Sequence, residues 1–78
     1  MAVITFEITK ELGVISETAR GWTKELNMVS WNEHEPKYDI RDWSPAHTRM
    51  SKGVSLTEEE MQKLVELFAA RDEEDSFE

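Results

Sequence analysis

The chain has 78 residues, 9 basic and 17 acidic, for a net charge of -8, and no cysteine. At that length it is one small domain with a marginal core of its own, and without cysteine it has neither disulfide staples nor thiolate metal sites. With 38% hydrophobic and 33% charged residues it is too polar for a membrane protein, and no apolar run approaches the ~18 residues that a spanning helix needs. Residues 1–7 have neither a basic start nor a long apolar stretch, so no signal peptide is expected and the protein is expected in the cytoplasm. A chain this short, without disulfides, is expected to share its core with a second copy.

The charge is uneven. Residues 1–57 carry 7 basic and 8 acidic side chains, net -1, whereas residues 58–78 carry 2 and 9, net -7. The first part can therefore hold a local basic ridge despite the total, and local potential matters more to a ligand than net charge.

Residues 6–16 alternate as a half-buried strand, with Phe6, Ile8, Leu12 and Val14 on one face and Glu7, Thr9, Glu11 and Glu17 on the other, and Gly13 marking a bulge or bend. Residues 18–21 read as a turn. A second strand over residues 22–31 changes phase: Trp22, Leu26 and Met28 share one parity, Val29 and Trp31 the other. Either a bulge lies near Met28, or Val29 and Trp31 face away from the core. After a polar loop at 32–36, residues 37–43 form a third strand with Tyr38 and Ile40 on one side and Lys37, Arg41 and Trp43 on the other. A longer polar loop spans 44–52, and a short last strand follows over 52–56.

The helix is announced by Thr57-Glu58-Glu59-Glu60, a capping box, with Leu56 and Met61 at the staple positions. Met61, Leu64, Val65 and Phe68 follow the i, i+3, i+4, i+7 pattern, and Leu67 widens the stripe. That stripe exceeds what one small sheet needs, so Met61, Leu64, Leu67 and Phe68 are expected at a two-fold dimer interface. Residues 72–78 read as an acidic disordered tail after a domain spanning 1–71.

His34 and His47, the only histidines, have twelve residues between them and fit no zinc pattern, so no metal and no cofactor are expected. There is no nucleophile elbow and no phosphate-binding glycine loop, and no serine has a spaced base, so no catalytic residue, small-molecule substrate or enzyme activity is expected. The informative set is Trp31, Trp43, Lys37, Arg41 and Lys52. Small domains often bury their tryptophans. An aromatic between two cations on an open sheet face, however, is what single-stranded nucleic acid needs: rings stack on bases and cations meet phosphates. Lys24 and Trp22 extend this surface, with Trp22 weighted toward core because it shares parity with Leu26. The competing reading is a protein-interaction module using the aromatic face and the acidic tail.

Lys37-Tyr38-Asp39-Ile40-Arg41-Asp42-Trp43 resembles the Asp-Ile-Arg-Glu-aromatic strand of the transcriptional coactivator family founded on positive cofactor four. Lys52-Gly53-Val54-Ser55-Leu56-Thr57 and the helix bearing Leu64 and Leu67 resemble its Lys-Gly-Ile-Ser-Leu segment and C-terminal helix. With Phe6-Glu7-Ile8 and Lys24-Glu25-Leu26-Asn27, residues 5–70 look most like the small bacterial YdbC-type branch. The resemblance implies an α+β fold, a curved four-stranded antiparallel sheet followed by one helix. It implies a homodimer that binds single-stranded DNA across the sheets, largely without sequence preference; the reading taken from it is a non-enzymatic single-stranded-DNA-binding protein of transcription, replication or repair that is expected to accept single-stranded RNA as well. By the same resemblance the family's strand arginine falls on Arg41, its nearby aromatic on Trp43, its basic residue before the glycine on Lys52, and the aromatic ending its second strand on Trp31. Glu33 and Glu35 stand where eukaryotic members carry basic residues.

Overall fold

The computed structural model describes residues 4–73. It contains β1 Phe6–Glu17, β2 Thr23–Trp31, β3 Lys37–Trp43, β4 Val54–Leu56 and α1 Glu58–Ala70, then one 3-10 turn, Arg71–Glu73. The four strands form one antiparallel sheet in the order β1-β2-β3-β4. The class expected from the sequence, a four-stranded antiparallel sheet ahead of a single helix, is the class observed. Of the acidic segment 72–78, residues 74–78 lie outside the described residues.

The β2–β3 ladder is continuous from Thr23↔Trp43 to Val29↔Lys37. β2 itself therefore has no bulge at Met28, and the other alternative is corrected too: Val29 and Trp31 share a face, but it is the face that holds the core, with Val29 fully buried. One face, here the inner, carries Thr23, Glu25, Asn27, Val29 and Trp31 of β2 opposite Lys37, Asp39, Arg41 and Trp43 of β3. The outer face carries Lys24, Leu26 and Met28 opposite Asp42, Ile40 and Tyr38. The parity read for β3 is the one observed.

β1 departs from the simple alternation. Its twelve residues run beside the nine of β2, and the three extra are absorbed at three register shifts, between Ile8 and Lys10, Glu11 and Gly13, and Val14 and Ser16. Each shift flips the phase, so Phe6, Ile8, Glu11 and Val14 share the inner face, opposite Trp31, Val29, Asn27 and Glu25. The expected grouping is corrected on this ground: Leu12, placed with Phe6 and Ile8, is the unpaired residue of the middle shift, and Glu11 and Glu17, placed on the opposite face, pair with Asn27 and Thr23 of the inner one. Gly13 stands beside that shift, as its lack of a side chain suggested.

Bulges bend a strand and increase its twist, and the side-chain contacts show how far this sheet bends. Six residues separate Trp31 from Glu25, the ladder partner of Arg41, which on a flat sheet is about 20 Å. Yet the Arg41 guanidinium lies 4.6 Å from the centre of the Trp31 ring. Phe6 likewise touches both Trp31, at 5.7 Å between ring centres, and Trp43, at 5.3 Å, although those tryptophans end different strands. The inner face thus curls on itself and brings its two ends together.

The core formed this way is small. Val29 and Trp43 are the fully covered apolar side chains among the described residues, alongside buried Glu25, Asn27, Asp39 and Ser44. The helix is capped as read: Thr57 Oγ1 accepts from Glu60 N at 3.1 Å and Glu60 Oε1 accepts from Thr57 N at 2.9 Å. Tyr38 Oη donates to Glu58 Oε1 at 2.8 Å and ties the first turn to β3. Beyond that tie no residue of α1 is buried, and Leu64, Val65, Leu67 and Phe68 are 44–63% exposed.

Candidate nucleic-acid interface

The inner face begins with charge placed where burial makes it costly. Asp39 is completely buried, and a lone buried carboxylate is strongly disfavoured. Three neighbours compensate it. Arg41 donates from Nε to Oδ1 at 2.6 Å and from Nη2 to Oδ2 at 2.8 Å, a bidentate fork, and Ser55 Oγ of β4 donates to Oδ2 at 2.9 Å. Arg41 Nη1 reaches the Ser51 carbonyl at 3.4 Å. Gly53 is the residue that permits this. A Cβ there would lie 2.3 Å from the Ile40 carbonyl oxygen and 2.4 Å from Arg41 Cβ, so only glycine lets the chain after Lys52 pass directly over Arg41.

Glu25, the ladder partner of Arg41, is the second buried carboxylate. Burial pushes its pKa up, but hydrogen bonds from Thr23 Oγ1 at 2.5 Å, Asn27 Nδ2 at 3.0 Å and His47 Nε2 at 2.9 Å outweigh this and hold it below the ordinary value. His47 comes from the 44–52 loop, is held in the left-handed region at φ 59°, and stacks on Trp43 at 5.5 Å. Glu25, Asn27 and His47 also wall a groove of about 330 Å³ with Glu11, Leu12 and Val14 of β1.

The residues singled out from the sequence are distributed as follows. Trp31, Arg41 and Lys52 are brought together: the Arg41 cation faces the half-buried Trp31 ring, and exposed Lys52 directly precedes the glycine crossing Arg41. Lys37 is exposed on the same face, at the start of β3. Trp43 shares that face but not the surface. It is 0% exposed between Phe6 and His47, so it is a core residue, and the expectation of an open platform there is corrected. Lys24 lies on the outer face, paired with Asp42 at 3.0 Å, and so does not join the Trp31 surface. Trp22 is half-buried just ahead of β2, with the Arg49 guanidinium 5.8 Å from its ring centre. The indole N–H groups of Trp31 and Trp43 are both buried without an acceptor among the described residues.

Sequence reasoning passed over Glu25, Asn27 and His47. The first two share parity with Val29 and Trp31, which was the available signal. The contact of His47 with Glu25 spans 22 residues and left no local mark.

Residues 18–67 match the family described as Transcriptional Coactivator p15 (PC4). The chain belongs to the PC4 family. An uncharacterized protein of Treponema pallidum (strain Nichols) is 45% identical over 62 residues, spanning 80% of this chain and 73% of that one. The PC4 family is one of nucleic-acid binding and transcriptional coactivation, and is typically non-enzymatic. The matched span runs from the β1–β2 turn through most of α1, and so includes Trp31, Lys37, Arg41, Gly53 and Lys52. No helix among the described residues is long and apolar enough to cross a membrane.

Proposed function

We propose that this PC4-family protein binds single-stranded DNA without catalysis and largely without sequence preference, and accepts single-stranded RNA at the same surface. The observation that carries the reading is the half-buried Trp31 ring set against Arg41, with Lys37 exposed on the same sheet face and exposed Lys52 next to the glycine that crosses Arg41. A base stacks on Trp31, and the two lysines meet the flanking phosphates. Stacking on an exposed ring is worth about 1–3 kcal/mol per base and does not depend on which base it is.

The binding unit is a homodimer. Among the described residues two apolar side chains are fully covered, and Leu64, Val65, Leu67 and Phe68 stand in a row on a helix with no buried residue. A second copy laid against this stripe buries it without a further domain.

The test is titration of a labelled oligothymidylate at low and high salt. Saturable binding that weakens as salt rises is expected, because phosphate contacts release counterions. Absence of binding at low salt overturns the proposal.

A further inference from the structure

We infer that Arg41 is a positioning residue, acting on nucleic acid through Trp31 instead of contacting phosphate itself. The inference rests on the single-strand reading above and assigns the role of one residue within it.

An arginine offers five N–H donors. Here Nε and Nη2 are committed to Asp39 at 2.6 and 2.8 Å, and Nη1 to the Ser51 carbonyl at 3.4 Å, with Met50 Sδ at 3.6 Å. The side chain is 13% exposed and its carboxylate partner 0%. A phosphate taking the guanidinium would leave Asp39 buried with only Ser55 as a partner, and a buried charge stripped of its counterion is strongly destabilising. The backbone at Gly53 closes over the same side chain. What Arg41 does present is its cation to the Trp31 ring, at 4.6 Å, inside the ~6 Å range of a cation–π contact. The fork to Asp39 fixes the guanidinium, and the guanidinium fixes the ring. Lysine keeps the charge but cannot reproduce a planar two-point fork.

The experiment measures oligothymidylate affinity at several salt concentrations for wild type, Arg41→Lys, Trp31→Ala and the combination. A charge-neutral pair, Asp39→Asn with Arg41→Gln, carries the test should Arg41→Lys not fold. Circular dichroism and urea melts establish that each variant is folded under the binding conditions. Arg41→Lys is expected to weaken binding by about 5- to 150-fold, the range of one stacked base. The salt slope is expected to stay at the wild-type value. In the Trp31→Ala background the Arg41 change is expected to cause no further loss. The indole N–H resonance of Trp31 is expected to move in free Arg41→Lys, a readout independent of DNA. Retained affinity in Arg41→Lys overturns the assignment. So does a slope lowered by about one phosphate (~0.7 for a single strand) in the neutral pair, or multiplication of the two losses in the combined variant. Failure of wild type to bind at all removes the functional reading itself, a result distinct from any of these.

Discussion

Trp31 and Trp43 share a sheet face but have different surroundings, and substitution should separate them. Trp43→Ala empties a fully covered site between Phe6 and His47 and is expected to cost about 3–5 kcal/mol of stability in a urea melt. Trp31→Ala is expected to leave the fold in place by circular dichroism and to remove about 1–3 kcal/mol of oligothymidylate binding. Glu25 sets an acid limit. Its pKa in the fold is lowered, so its contribution is full above the unfolded carboxylate value of about 4.3 and is lost as pH falls through the lower folded value. Glu25→Gln should therefore flatten the loss of stability below about pH 4, measured by urea melts at several pH values. An unchanged acid limb would mean that other carboxylates govern it.

Two elements depend on a single residue each. Thr57→Ala removes half of the capping box and is expected to cost about 1 kcal/mol, read as a shift in the urea midpoint. Gly53→Ala drives a methyl into the Ile40 carbonyl and Arg41, and is expected to cost about 1–3 kcal/mol and to weaken DNA binding as well, because β4 must move off the Arg41 side chain. The elements themselves were legible from local patterns. Strand periodicity, turn residues and the capping box act over a few positions, and the β2–β3 ladder has no shift to disturb its parity. β1 was not legible at that level, because three shifts reset its phase and only Gly13 marks one of them. The site was legible in part. Trp31, Lys37 and Arg41 fall on one face as their parity indicated. The burial of Trp43 was not, because it depends on the bend of the whole sheet, which carries Phe6 across to it.

At the scale of the molecule, the proposed dimer rests on the exposed helix stripe. Phe68 is 63% exposed in the single chain, so Phe68→Asp costs little there but places a charge inside the proposed dimer contact. Sedimentation is expected to give a dimer for wild type and a monomer for Phe68→Asp; a wild-type monomer at micromolar concentration would sink the dimer. The curl of the inner face also governs the order in which the molecule is made. The contact of Phe6 with Trp43 joins residues 37 positions apart and depends on β2 pairing with a strand on each side. Both hairpins close over five-residue loops, 18–22 and 32–36, and each can form locally, whereas the cluster at Trp43 needs both of them in place. During synthesis Phe6 leaves the ribosome first, but it finds its place only after Trp43 has followed.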